Sequence, residues 1–221
     1  MEWMIYGANG YTGALMVEEA VRRGLRPVLA GRSREAIEPL AQKYGLPARV
    51  FGLDKPQAFA VGVRDMELVL HCAGPFSKTS LPMVKGCLEA GAHYLDITGE
   101  IEVFAACNAL DAEAKQRGIV ILPGAGFDVV PTDCLAAILK LELPSAESLV
   151  LAFDAPGGPS PGTAKTVVEG LGKGGRARIN GEMTKVPLAW KTRTFDKAGE
   201  ARLAMTIPWG DVYTAHVSTG I

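Results

Sequence analysis

Short apolar runs alternate with stretches whose apolar residues recur every three to four positions, over roughly the first two-thirds of the chain. The runs Trp3–Tyr6, Arg26–Ala30, Ala48–Phe51, Glu67–Cys72, His93–Ile97 and Gly118–Leu122 read as strands. Between them the pattern predicts helices over Thr12–Arg23, Arg34–Tyr44 and Lys55–Val63. A fourth holds Pro82 in its first turn and runs to Ala90, a fifth covers Glu100–Arg117, and a last runs from Asp128 or Pro131 to Leu141. Gly24 and Gly45 stand where helices end, and Ser33 where one begins. Strands alternating with helices predict βαβ units, hence a doubly wound parallel sheet of the Rossmann type over residues 1–143.

Pro144 marks a change of pattern. Glu147–Asp154 reads as a strand, Ala155–Gly162 as a loop, Thr163–Leu171 as a helix and Gly172–Gly175 as a loop. Strand-like stretches Ala177–Trp190, Arg202–Ile207 and Val212–Ser218 follow without helices between them. Residues 144–221 are therefore expected to form a smaller α+β domain with antiparallel strands. The chain stops at Ile221 just after a strand-like segment, so this domain reads as incomplete.

Composition sets limits. With 48% hydrophobic and 21% charged residues among 221, the chain has the make-up of a globular protein with a core. A net charge of −1 offers no basic surface, so nucleic acid is not an expected partner. No apolar run reaches the roughly 18–20 residues that span a bilayer. Met1–Tyr6 leads straight into a glycine loop with no signal segment before it. Cys72, Cys87, Cys107 and Cys134 form no CxxC pair, and buried reduced thiols in a cytoplasmic protein are the expectation. The three histidines show no metal-ligand spacing, and no metal is expected.

The chemistry starts at Gly7-Ala-Asn9-Gly10-Tyr11-Thr12-Gly13, between the first strand and the first helix. Its GxxGxxG spacing is a variant of the dinucleotide motif. One glycine makes the tight turn, one admits the pyrophosphate, and one lets helix and strand pack closely. The helix N-terminus then turns its amides and positive dipole end toward the phosphates. NAD-selective sites carry an acidic residue about 20 residues on. Here Gly31-Arg32-Ser33-Arg34 stands at the end of the second strand without a carboxylate. Arg32 can meet a 2′-phosphate with charge and a fork of donors, Ser33 can add a hydroxyl or amide, and Arg34 is a second cation. NADP(H) is the expected cofactor. Asp54, just past the third strand, is placed for the adenine or for capping a helix.

Ligands of open α/β sheets bind at the carboxyl ends of the strands. Cys72-Ala73-Gly74-Pro75-Phe76 is suited to lining the nicotinamide or its ribose, with a structural turn as the rival reading. Asp96-Ile-Thr-Gly99-Glu100 puts two carboxylates at the mouth, although Glu100 also suits a helix dipole. Pro123-Gly124-Ala-Gly126-Phe127-Asp128 permits close approach to a ligand, although Asp128 also suits an N-cap. Asp96, Asp128 and Lys165 are the candidate proton donors. No Tyr-x-x-x-Lys relay and no GxSxG elbow occurs, and Gly170-Leu-Gly-Lys173 lacks the hydroxyl residue of a phosphate loop.

Ile5-Tyr-Gly7-Ala-Asn-Gly10-Tyr-Thr-Gly13, Ala30-Gly-Arg32-Ser33, Ala73-Gly-Pro-Phe76, Tyr94-Leu-Asp96-Ile-Thr-Gly-Glu100 and Gly126-Phe-Asp128 with Pro131 and Asp133 occur in this order. With Gly157-Gly-Pro-Ser160-Pro-Gly162-Thr163 they resemble the saccharopine dehydrogenase-like oxidoreductases, a family that includes trans-acting enoyl reductases. The resemblance implies an NADP-binding domain, a smaller α+β domain and a small-molecule substrate between them. It implies hydride transfer to or from an imine, carbonyl or enoyl group, with Glu100, Phe127, Ser160 and Thr163 toward the substrate. Members are longer, and an open sheet near Ile221 leaves a homodimer as an option. The competing class is a non-catalytic NADP-binding sensor or partner subunit, which the missing proton relay keeps open. An α/β methyltransferase would lack the Gly-Arg-Ser cation site.

Overall fold

The computed structural model describes residues 2–54, 59, 61–154, 158 and 161–221. Six parallel strands, β1 (Trp3–Tyr6), β2 (Val28–Gly31), β3 (Ala48–Val50), β4 (Leu68–His71), β5 (His93–Asp96) and β6 (Ile121–Leu122), form one sheet in the order β3-β2-β1-β4-β5-β6. The helices α1 (Tyr11–Arg22), α2 (Arg34–Tyr44), α3 (Phe76–Ala90), α4 (Ile101–Asn108) and α5 (Asp111–Arg117) connect them. This is the doubly wound Rossmann order that the alternating pattern predicts.

Side chains alternate across a strand, and here both faces are buried. Met4, Tyr6, Val28, Val69 and Tyr94 pack on one side against Met83, Val84 and Cys87 of α3 and Val103 and Cys107 of α4. Ile5 and Leu29 pack on the other against Val17 and Ala20 of α1 and Ile37 and Ala41 of α2. Each fully buried aliphatic side chain stabilises this sandwich by about 1.5–3 kcal/mol. Gly45, Gly91 and Gly118 close α2, α3 and α5 in the left-handed conformation.

The chain forms two compact units, Met1–Thr98 with Glu102–Gly126, and Gly99–Ile101 with Phe127–Ile221. The second holds α6 (Val130–Glu142), α7 (Pro161–Gly170), the antiparallel pairs β7 (Gly175–Ile179) with β8 (Glu182–Val186) and β9 (Thr192–Lys197) with β10 (Glu200–Met205), and α8 (Asp211–Thr219). The helix read as closing the first domain, α6, thus belongs with the second unit.

Several elements differ from the expectation. The helix that ends at Ala90 begins as early as Phe76, so Pro82 lies inside α3 and not in its first turn. The segment Glu100–Arg117 divides into α4 and α5 at Leu110, which leaves the helical well (φ −96°, ψ 4°) and packs against the core. Lys55–Val63 falls partly outside the described residues. Glu147–Asp154 pairs with no strand among the described residues. Ala177–Trp190 contains a hairpin turned at Asn180 and Gly181, whose positive φ values of 52° and 80° fit a type I′ turn. Val212–Ser218 is helix, not strand. Its β-branched residues imitate a strand, but Ala215 and Thr219, one turn apart, are the ones buried. Of the cysteines expected to be buried, Cys134 is exposed on α6 and Cys72 is only partly covered.

Candidate functional site

Strand order reverses between β1 and β4, whose outward connections run to opposite sides. Ligands of open sheets occupy the crevice at such a point, beyond the carboxyl ends of the strands. Gly7 follows β1 and Cys72 follows β4, so both glycine-bearing loops meet there.

The Gly7–Gly13 turn is built to bring backbone close. Gly7 has φ +81°, and a methyl group on it would lie 2.9 Å from both Cβ and N of Ala73. A methyl on Gly13 would lie 2.1 Å from the Gly7 carbonyl oxygen, so α1 can press onto the turn only with glycine there. Gly10 N donates to Gly7 O at 2.9 Å, and Gly7 N to Ala30 O at 2.8 Å, which ties the turn to β2. Gly10 is the N-cap of α1, no side chain caps that end, and its first turn carries no acid. Such an end presents backbone donors and the positive dipole pole to an anion. Asn9, Gly10 and Tyr11 are exposed and Thr12 is half-buried at this mouth.

At the end of β2, Arg32 is exposed and forms no ion pair among the described residues. Arg34, the expected second cation, pairs instead with Glu38 one helical turn on. Ser33 is the N-cap of α2 but does not cap it with its side chain. Its hydroxyl donates to Glu35 Oε2 at 2.9 Å, and that carboxylate, which also takes its own backbone N–H, is held below the usual range. Tyr6 donates to Phe51 O at 3.0 Å, and burial pushes its hydroxyl up to about 12, against a smaller downward pull from Arg32 and an upward push from Asp54. Asp54 is exposed and folds back on Gly52, where a methyl would meet its Oδ1 at 2.5 Å. It borders a cavity of about 230 Å³ lined by Leu53, Phe59, Leu81, Pro82 and Lys85. A second cavity, about 250 Å³, is lined by residues of α4, α5 and the start of β6, at the far end of the sheet from the glycine turn.

Beyond β4, Cys72 N donates to Tyr6 O at 2.8 Å, and the Gly74–Pro75 peptide is cis. Burial pushes the Cys72 thiol up to about 12, with Asp96 adding to the shift, so it stays protonated. Phe76 meets His71 edge-on, with ring centroids 5.4 Å apart.

The three proposed proton donors come from different parts of the chain: Asp96 ends β5, Asp128 precedes α6 and Lys165 belongs to α7. Asp96 is fully buried, and its carboxylate accepts from Tyr94 OH at 2.6 Å, Thr98 N at 2.9 Å and Gly124 N at 2.7 Å. Asp96, one of the expected proton donors, thus holds the backbone of Thr98 and Gly124 through one oxygen and the Tyr94 hydroxyl through the other. Lys165 lies in α7, but its side chain is outside the described residues, as is Ser160. Asp128 does not cap α6, whose N-cap is Val129. Its carboxylate instead lies against the backbone of Gly99, where a methyl would sit 1.5 Å from Oδ2. Burial, reinforced by the Asp211 charge, pushes it up to about 6. Burial likewise raises Asp211, which accepts from Thr132 Oγ1 at 2.5 Å.

Of the residues expected to meet a substrate, Glu100 is half-buried just before α4, and Thr163 is half-buried in the first turn of α7. Phe127 is 65% exposed and edge-on to Phe153, which stacks on Trp209 at 4.4 Å. Asp211 escaped the sequence reading because the residues after it, Val212–Ser218, read as strand, although Gly210-Asp211 is a helix-start signal. Among the described residues no group of His, Cys, Asp and Glu could hold a metal, and no helix is long and apolar enough to cross a membrane.

The model of one family, the saccharopine dehydrogenase NADP binding domain, matches residues 3–122. A saccharopine dehydrogenase-like oxidoreductase of Mus musculus is 29% identical over 79% of this chain and 47% of its own length. A trans-acting enoyl reductase of Mycobacterium ulcerans is 32% identical over 60% of this chain and 34% of its own. The solved apo saccharopine dehydrogenase (L-Glu forming) of Saccharomyces cerevisiae shares the fold with a TM-score of 0.66 at 15% identity, over 94% of this chain and 49% of that one. The chain therefore spans about half the length of the curated saccharopine dehydrogenase-like relatives it matches.

Proposed function

Because this chain belongs to the saccharopine dehydrogenase NADP binding domain family, we propose that it binds NADP(H) and serves hydride transfer to or from an imine, carbonyl or enoyl substrate. The observation that carries this reading is the glycine turn at the β1–β4 crevice, with Arg32, a cation that has no ion pair among the described residues, at the neighbouring strand end. The amides of Gly10–Gly13 bind the pyrophosphate, and Arg32 with Ser33 binds the 2′-phosphate. Leu53 and Asp54 border the cleft that receives the adenine, and Cys72–Phe76 forms the wall along the nicotinamide half. When bound, the cofactor supplies or accepts the hydride.

The same transfer needs a proton at the substrate. Asp128 is the side chain suited to hold it, since a carboxyl raised to about 6 keeps a protonated fraction near neutrality. Glu100, Phe127 and Thr163 are assigned to the substrate side, with Phe127 as an exposed aromatic surface. The whole protein's substrate belongs to this same proposal.

The test is calorimetric titration of wild type and Arg32→Ala with NADPH and NADH. Arg32→Ala is expected to weaken NADPH roughly 10- to 100-fold, the worth of charge-assisted hydrogen bonds, and to leave NADH nearly unchanged. Selectivity that survives the change would remove the argument. Oxidation of NADPH with a panel of imines, keto acids and enoyl thioesters then separates an enzyme from a sensor, which would bind without turnover.

A further inference from the structure

Resting on that NADP(H) reading, we propose that Thr79, held by His71, is a positioning residue that sets the Ala73–Pro75 wall of the crevice for the nicotinamide half of the cofactor. Thr79 Oγ1 lies 2.6 Å from Ala73 O and 3.1 Å from Pro75 O, and 3.0 Å from His71 Nε2. A hydroxyl has one proton to give. The two carbonyls take it, so His71 must donate through Nε2–H to the hydroxyl oxygen.

This fixes the imidazole as a single neutral tautomer with Nδ1 unprotonated. Nδ1 is buried and has no hydrogen-bond partner among the described residues. His71 is fully buried among Tyr6, Phe76 and Tyr94, and burial pushes it down to about 3, so it does not take up a second proton near neutrality. A buried, half-satisfied imidazole is costly where an apolar side chain would fit. The hydrogen bond that it gives Thr79 is what it contributes in return.

The clamp acts on the crevice and not merely on a distant turn. Ala73 is the residue whose Cβ and N stand against Gly7, so the carbonyl held by Thr79 belongs to the segment packed on the phosphate-binding turn. Tyr6 and His71 are register partners on β1 and β4, which carries the strand pairing up to the same point. The next helical residue, Ser80, has its hydroxyl oxygen 3.1 Å from Tyr94 OH and ties α3 to β5. Two adjacent hydroxyls thus moor the first half of α3 to β4 and β5, and the first of them sets the wall.

The experiment compares wild type, Thr79→Val and Thr79→Ser, with NADPH and adenosine 2′,5′-bisphosphate as probes, by calorimetry. The second probe fits the glycine turn and Arg32 but lacks the nicotinamide half. Thr79→Val is expected to bind NADPH roughly tenfold more weakly and the bisphosphate unchanged, with Thr79→Ser restoring NADPH to within about twofold. Thr79→Ala provides the same comparison if the valine variant does not fold. Equal loss for both probes would reduce Thr79 to a fold-holding residue and overturn the proposal, as would no loss for either. Failure of wild type to bind either probe would overturn the NADP(H) reading first.

Discussion

Arg32 and Arg34 stand two residues apart and are spent differently. Arg34 is taken by Glu38 on the same face of α2, a pairing that the i,i+4 spacing already offers to a reader of the sequence. Arg32 precedes the helix and forms no ion pair among the described residues. The carboxylate of Glu35, hydrogen-bonded to Ser33, occupies the helix end that a 2′-phosphate would approach. Glu35→Ala is therefore expected to tighten NADPH about two- to fivefold, the worth of one screened charge at a helix N-terminus, while NADH is unaffected. Titration of both dinucleotides checks this, and equal or weaker NADPH binding would refute it. The carboxylates show where residue-level reading stops. Asp96 ends β5 and Asp128 lies beyond β6, and in the sequence the two look alike. Only the fold shows that three donors engage the first while the second is desolvated beside Asp211.

At the scale of elements, the close seat of α1 on the glycine turn admits a direct test. Gly13→Ala would drive a methyl into the Gly7 carbonyl, and the contact is with backbone that cannot swing aside. Unfolding in urea is expected to show a loss of about 3 kcal/mol, at the upper end for overpacking, together with loss of dinucleotide binding. A stable, binding-competent variant would show that α1 can retreat. The elements of the sheet were legible because the central strands β1 and β2 are buried on both faces and each apolar run is bounded by glycine or polar turns. The second unit was less legible for a physical reason. Its strands are mostly exposed or half-buried, so packing imprints little alternation on β9 and β10, whose pairing rests on a turn at Ala198 and Gly199. The Asn180-Gly181 turn was readable as a hairpin signal. The helical nature of Val212–Ser218 was hidden by its β-branched composition.

For the molecule as a whole, the raised carboxyls of the second unit predict how stability responds to pH. Asp128 binds its proton more tightly in the native state, about 6, than in an unfolded chain, about 3.9. The stability this brings is fully present below the unfolded value and is lost as pH rises through the native one. Asp128→Asn carries no such charge. It is expected to match wild type near pH 4 and to exceed it by up to about 3 kcal/mol above pH 7. Urea melts of both proteins across that range check the divergence, and parallel curves would show that Asp128 is solvated.

One buried carboxylate has a reach that its strand position does not suggest. Thr98, whose amide Asp96 holds, is the last residue before the chain first leaves the nucleotide-binding unit, and Gly124 lies two residues before it leaves for good. Both departures are moored to the same oxygen atom. Losing that carboxylate would therefore release two stretches of backbone at once, although Thr98 and Gly124 stand 26 positions apart in the sequence.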